Sequence, residues 1–380
     1  MQYSFLNDVG LFIQITFWIF ISTAIIQLIY YWAVFSRLAF YKPSSKEAIN
    51  KPAVSVVIAA RNEYHNLLKN LEPILNQEYP DFEVIVVNHA STDETKYYLE
   101  EMKGRYANLK TVQIDQDLNF FKGKKFPLSI GIKSAKNDLI LLTDADCMPS
   151  SPKWIDSIAS SYSDPKTEVV LGYGPYTKEK GFINILIRYD TIMVAMQYLS
   201  FALAKLPYMG VGRNLSYTKT LFIKNKGFIA HYRIPSGDDD LFINTVANKK
   251  NCSINISSES FMYSDAKKGF KEWYNQKIRH LSTGVEYKNK FKLLLGLYSS
   301  SQLLFFISLF ILAINMSMIE IVAPLFILRF ITQFIVNKKI ADKLQEGRLY
   351  LISPILEVLY IIIIPFFALI GMTRKNVSWK

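Results

Sequence analysis

Leu139-Ile140-Leu141-Leu142-Thr143-Asp144-Ala145-Asp146 is the stretch on which the fold turns. Leu139 to Thr143 is a short apolar run without polar alternation, as a strand buried on both faces requires, and it leads straight into two carboxylates spaced Asp-x-Asp. Two runs of the same kind lie upstream, Val54 to Ala60 (VSVVIAA) and Phe82 to Val87 (FEVIVV). Between them, Glu63 to Gln77 carries Leu67, Leu68, Leu71, Ile74 and Leu75 near helical spacing, and a second helical stretch follows Thr92. Strand, helix, strand, helix predicts an α/β domain with a mostly parallel, Rossmann-like sheet. Ligands of such sheets bind beyond the carboxyl ends of the strands, where Arg61-Asn62-Glu63, Asn88-His89 and Asp144-Ala145-Asp146 fall.

Outside this domain the texture changes. The chain has 380 residues, a hydrophobic fraction of 50% and a formal charge of +12. Val9 to Ser36 contains no charged residue and exceeds the ~20 residues that a helix needs to cross a bilayer. Asp8 precedes it, whereas Arg37, Lys42, Lys46 and Lys51 follow, so the N-terminus is expected outside and the next domain in the cytoplasm. The run lacks the basic start and short core of a cleaved signal peptide. A second uncharged run, Leu293 to Ile319, predicts another span, and Ile321 to Val336 a return, with Arg329 facing protein or snorkelling toward Lys338 and Lys339.

Two apolar segments resist simple assignment. Leu349 to Thr373 has basic residues at both ends, Lys343 and Arg348 before it and Arg374, Lys375 and Lys380 after it, and Pro354, Glu357 and Pro365 inside. It fits a span or a re-entrant element. Gly181 to Met209 is apolar but holds Arg188, Asp190 and Lys205, which argues for a core or interfacial helix. Much of the basic excess flanks the apolar segments, so membrane lipids rather than nucleic acid are the expected polyanion, and no nucleic-acid recognition module is present. Cys147 and Cys252 have no metal-ligand spacing and read as buried thiols of a reducing compartment.

An Asp-x-Asp pair alone points to one hard divalent cation, and equally to a turn or helix cap. The wider set of motifs is more specific. VSVVIAARNE (54–63), EVIVVNHASTDET (83–95), GKKFPLSIGIKSAKNDLILLTDADC (123–147), SGDDDLF (236–242) and QKIRH (276–280) resemble, in content and order, a membrane-bound family 2 glycosyltransferase.

That resemblance implies a GT-A fold and inverting transfer from a nucleoside diphosphate sugar, with Mg2+ or Mn2+ on Asp146 and Asp144. Asp144 has the ribose, or a water-mediated metal contact, as alternatives. It implies nucleotide contacts from Ala60, Arg61 and Glu63, and it puts Asn88 and His89 where many members carry two acidic residues that read the base, so UDP-sugar and GDP-sugar donors both stay open. Asp93 fits a later acidic position. Among Lys122, Lys124 and Lys125, the reading prefers Lys125 beside the diphosphate. Asp238 matches the catalytic base, Asp239 being the choice if the register shifts by one, and Gly237 replaces the usual Glu. Gln276 and Arg279 match a Gln-x-x-Arg-Trp motif whose Arg holds the diphosphate; His280 replaces its Trp, so a stacking platform is sought at Trp273 or Tyr274.

The expected organisation is a transmembrane helix over residues 1–36, a cytoplasmic catalytic domain over 37–292 and a membrane region over 293–380. The expected acceptor is lipid-linked or a glycan. A processive polysaccharide synthase, or a non-catalytic membrane scaffold of envelope glycan assembly, are the alternatives.

Overall fold

The computed structural model describes residues 10–43, 51–116 and 123–373. Asp8, Val9, Lys46, Lys122, Arg374, Lys375 and Lys380 lie outside the described residues. Among the described residues the chain forms two compact units, one from residues 42–287 with 368–373 and one from residues 10–41 and 288–367.

The first unit is built on a seven-stranded sheet. In chain order the strands are β1 (Val54–Ala60), β2 (Phe82–His89), β3 (Leu109–Ile114), β4 (Leu139–Asp144), β5 (Cys147–Pro149), β6 (Val169–Leu171), β7 (Leu215–Thr218), β8 (Cys252–Ile254) and β9 (Met262–Ser264). The large sheet runs β3-β2-β1-β4-β7-β6-β8, while β5 and β9 pair separately. All pairs in the large sheet are parallel except the two made by β7. Every residue of β1 is buried, which is why its sequence is apolar without alternation.

The strand order reverses beside β1, with β2 and β3 on one side and β4 on the other, so the β1/β4 boundary is the topological switch point. Register aligns Ala59 with Asp144 and Ala60 with Asn88, bringing three strand ends to one edge.

Helices cover both faces. Tyr64–Leu75 and Thr95–Arg105 pack Leu67, Leu71, Ile74, Leu75, Leu99 and Met102 with Val54, Val56 and Ile58 in one core. On the opposite face lies the helix Lys125–Ser134. A Cβ at its Gly131 would stand 2.5 Å from Val57 Cγ1 and 2.9 Å from Val87 Cγ2, so only glycine lets the helix sit this close to the sheet. The ambiguous segment after Gly181 is a core helix, Phe182–Leu203, and the charge that argued against a span is neutralised internally: Asp190 pairs with Lys277 at 2.5 Å.

The second unit contains four helices that are, among the described residues, long and apolar enough to cross a membrane: Leu11–Ala39, Asn289–Ile314, Ile319–Lys343 and Leu349–Gly371. The first passes through a π-helical stretch, Tyr30–Phe35, and the Tyr31 ring there lies under Arg329. The segment left open by its prolines is one helix, Leu349–Thr373. Its Glu357 meets Arg329 at 2.5 Å and 3.1 Å, and both residues are about fully buried, at 2% and 1% exposure. Gln302 and Gln333 also donate to Glu357, at 2.6 Å and 2.7 Å, and Gln27 accepts from Arg329 at 3.3 Å. Arg329 thus faces protein, and the two charges that made their helices awkward compensate one another. At one end of this unit Lys343 donates to the Tyr41 carbonyl and Lys339 stacks on Phe40.

Candidate active site

β4 delivers Asp144 to the switch point, and a two-residue turn then feeds β5, carrying Asp146 past it. Oxygen and sulfur atoms of Asp144, Asp146 and Cys147 lie within 4.8 Å of one another. Burial and the neighbouring Asp144 charge raise the Asp146 carboxyl above its ordinary range. Burial also acts on Asp144, but Lys124, with Arg213 and Arg279, outweighs it and holds that carboxyl low. The Cys147 thiol is pushed well up by burial and by both aspartates, so it remains a protonated thiol beside the pair. What remains is an oxygen donor set, the carboxylates of Asp144 and Asp146. That set fits a hard divalent cation such as Mg2+ or Mn2+.

Opposite the pair stands Lys124. Its ammonium is 2.8 Å from Asp144 Oδ1 and 3.2 Å from Asp238 Oδ2, bridging the strand end to the acidic motif. The expectation of Lys125 in this place is corrected. Lys125 is buried and turns away, donating to the carbonyls of His231 (2.7 Å) and Ile234 (2.8 Å), and burial brings its ammonium down to about 8. The choice between the two lysines is made by the 231–235 loop. Gly123, at φ +88°, passes so near Pro235 that a Cβ would meet its carbonyl oxygen at 2.1 Å. Neighbouring residues at a helix start point roughly 100° apart, so one lysine enters the loop and the other the site.

The three consecutive aspartates separate in the same way. Asp238 faces Lys124. Asp239 accepts from the amides of Gly212 and Asp240, both at 2.8 Å. Burial and the Asp238 and Asp240 charges push the Asp239 carboxyl up to about 7. Asp240 accepts from the Leu241 amide, from Tyr287 at 2.8 Å and from the Thr283 hydroxyl, anchoring the helix Asp240–Val246.

Gly237 has φ +92°, and a Cβ there would stand 2.5 Å from Leu241 Cδ1. This backbone explains why no Glu occupies the position. Gly237→Ala should cost about 1–3 kcal/mol of stability, through strain at positive φ and the clash. Thermal unfolding of the full chain in detergent measures it, and an unchanged midpoint would refute the argument.

Upstream, the two expected nucleotide turns are laced together. Asn62, at φ +53°, donates its amide to Ser91 (2.9 Å) and accepts from the Thr92 amide (2.8 Å). Asp93 accepts from the amides of Tyr64 and Thr95, both at 3.1 Å; its partial burial is outweighed by these bonds, which keep its carboxyl low. It caps two helices. Ala60 is fully buried at the end of β1, whereas Arg61 and Glu63 reach the surface. Asn88 and His89 are each 1% exposed. Asn88 donates to Gln113 (2.9 Å) and accepts from Ser91 (2.5 Å), and the His89 ring meets Phe126 edge-on at 6.1 Å. Asn88 thus braces the second turn from beneath, and neither residue presents its side chain at the surface.

The helix Phe270–Leu281 carries Gln276 and Arg279. Gln276 donates to the Tyr176 hydroxyl at 3.1 Å, and Arg279 contributes to the field that keeps Asp144 ionised. Trp273, one expected platform, is buried and packs edge-on against Phe270 at 5.5 Å. Arg213, which the sequence reading missed, enters from the turn before β7. Its guanidinium lies 4.1 Å over Tyr176 and donates to Ser264 at 2.8 Å. The only local signal was a cation set between glycines and a strand, in Gly210-Val211-Gly212-Arg213-Asn214.

Comparison with known proteins bears on this geometry. Residues 55–224 match the model of Glycosyl transferase family 2, from β1 through the helix that follows β7; the acidic motif at 236–242 and the helix at 270–281 lie beyond that match. The chain is similar to glycosyltransferase AglE of Haloferax volcanii, 27% identical over 175 residues, which cover 46% of this chain and 53% of that protein. It is also similar to poly-beta-1,6-N-acetyl-D-glucosamine synthase of Staphylococcus epidermidis, 29% identical over 175 residues, 45% of this chain and 40% of that one. The chain thus spans about half the length of these relatives. A mannosyltransferase from Pyrobaculum calidifontis, solved in complex with GDP-Man and Mn2+, has the same fold, with a TM-score of 0.61 over 94% of this chain and 99% of that one at 18% identity. A mostly parallel sheet with its carboxylates at the switch point, the family match across that sheet and the shared fold lead to one statement: residues 55–224 of this chain match glycosyl transferase family 2, and the α/β unit that contains them has the GT-A fold.

Proposed function

We propose that this chain is an inverting glycosyltransferase that moves a sugar from a UDP-sugar or GDP-sugar to a lipid-linked or glycan acceptor at the cytoplasmic face of the inner membrane. The observation that carries the reading is the Lys124 bridge between Asp144 and Asp238, because it joins a donor-side carboxylate to a base candidate across one small space. The family match and the nucleotide-sugar complex of the structural neighbour support the donor class.

Asp146 and Asp144 would hold Mg2+ or Mn2+, which supplies charge neutralisation at the donor diphosphate. Lys124 and Arg279 add fixed positive charge on the leaving side, and Arg61 and Glu63 contact the nucleoside at the mouth of the upstream turns. As the acceptor oxygen bonds to the anomeric carbon and the carbon–phosphate-oxygen bond breaks, Asp238 takes the acceptor's hydroxyl proton. A diphosphate draws Lys124 toward itself and frees Asp238 for that proton.

The cytoplasmic placement rests on charge. Arg37 lies in the last turn of the first helix and Lys42 follows it, Lys338, Lys339 and Lys343 lie near the end of the third, and Arg348 precedes the fourth, whereas the turn at 315–318 carries no cation.

The test uses the full chain in detergent with a panel of UDP- and GDP-sugars and Mn2+, following release of nucleoside diphosphate. One donor should be turned over, and Asp146→Asn should raise the Mn2+ concentration required. If no donor is bound or turned over while Asp146 and Asp238 substitutions leave cellular function intact, the enzyme reading fails.

A further inference from the structure

We infer that Arg213 is a third cation of the donor site, seated to hold the diphosphate as it leaves; this inference rests on the glycosyl-transfer reading above. Its position is set by two direct contacts, with Ser264 and Tyr176, and by two residues that support them. Ser264, which takes a guanidinium N–H at 2.8 Å, is the cross-strand partner of Cys147 in the β5/β9 ladder, so the guanidinium stands next to the residue that follows Asp146. Tyr176 carries the cation on its ring face at 4.1 Å and is itself bridged to Ser264. Gln276 holds the Tyr176 hydroxyl. Gly174 leaves room for the arm, since a Cβ there would come to 3.2 Å from Arg213 Cβ and 3.5 Å from Nε.

One face of the guanidinium is therefore covered by a ring and one N–H is taken by Ser264, out of the five that an arginine offers. Its charge acts on both Asp144 and Asp146. Lys124 is already engaged by Asp144 and Asp238. Cleavage of the sugar bond leaves one further negative charge on the nucleoside diphosphate, and a guanidinium beside the carboxylate pair is placed to offset it. A planar guanidinium fork suits two phosphate oxygens better than a point charge does.

This role makes a prediction of opposite signs. With no nucleotide present, Arg213 repels a divalent cation, so Arg213→Met should bind Mn2+ alone several-fold more tightly. The same variant should bind UDP and GDP more weakly in the presence of Mn2+, and with a turned-over donor kcat should fall on the order of 100-fold. Arg213→Lys should keep near-native Mn2+ affinity and still lose part of the nucleotide affinity, because it retains charge without the fork. Mn2+ and nucleoside diphosphate titrations, with thermal unfolding alongside, read these shifts. Tighter Mn2+ with weaker nucleotide supports the inference. Unchanged affinities, tighter Mn2+ with unchanged nucleotide, or weakening of both with a lowered unfolding midpoint overturn it. If no sugar donor is ever turned over, the transferase reading fails, while the opposed Mn2+ and nucleotide shifts still decide the role of Arg213.

Discussion

Asp238→Asn should leave donor binding nearly intact and lower kcat by roughly 10²- to 10⁴-fold, the usual contribution of a positioned general base. The amide keeps the shape of the carboxylate and an oxygen within reach of Lys124, which stands 3.2 Å away, so the site stays assembled. What it loses is basicity, since a carboxamide oxygen accepts a hydrogen bond but takes no proton near neutral pH. The comparison that decides the assignment is Asp239→Asn. Asp239 accepts two backbone N–H groups, and one of its partners is the Gly212 amide, so its replacement perturbs a loop rather than removing the proton acceptor. Initial-rate kinetics should give the larger kcat loss at Asp238 and the larger stability loss at Asp239. A larger kcat loss at Asp239 would transfer the base to that residue.

The second large effect lies in the helical unit. Glu357→Leu should destabilise the protein by about 3–5 kcal/mol, because Arg329 would remain buried among Phe305, Phe306 and Tyr31 without its counter-charge. Cation–π contacts with those rings offset only a part of that cost. Replacing both partners, Arg329→Leu with Glu357→Leu, should recover most of the loss, since an apolar pair removes the uncompensated charge. Gln27, Gln302 and Gln333 would still have to find other partners, so recovery should fall short of the native value. Thermal unfolding in detergent follows the series, and equal stability of the single and double variants would show that the ion pair is not what the bundle depends on.

Glu357 illustrates where reading in one dimension stops. Hydropathy alone finds the four apolar segments, since length and transfer energy are sums over neighbours along the chain. Whether a segment holding Glu357 and two prolines continues as one helix depends on Arg329, on a different helix. The same division runs through the α/β unit. Val54–Ala60 and the apolar run into Asp144 were legible as strands because burial on both faces removes alternation, and the helix from Tyr64 followed from its leucine spacing. The three-residue strands β5, β6, β8 and β9 were not, because so short a segment has no period to display.

Strand-end location drew attention to Asp144 and Asp146, and the resemblance carried by SGDDDLF and QKIRH nominated Asp238 and Arg279. Direction was decided in three dimensions. Gly123 against Pro235 turns Lys124 rather than Lys125 to the carboxylates, and Gly237 with Leu241 sets the chain ahead of the three aspartates. The pairing of Cys147 with Ser264 brings Arg213 to a site from which it is distant along the chain. Local periodicity carries the energetics of burial, which each segment satisfies alone; the aim of a side chain is set by contacts between segments, and those exist only once the sheet has closed.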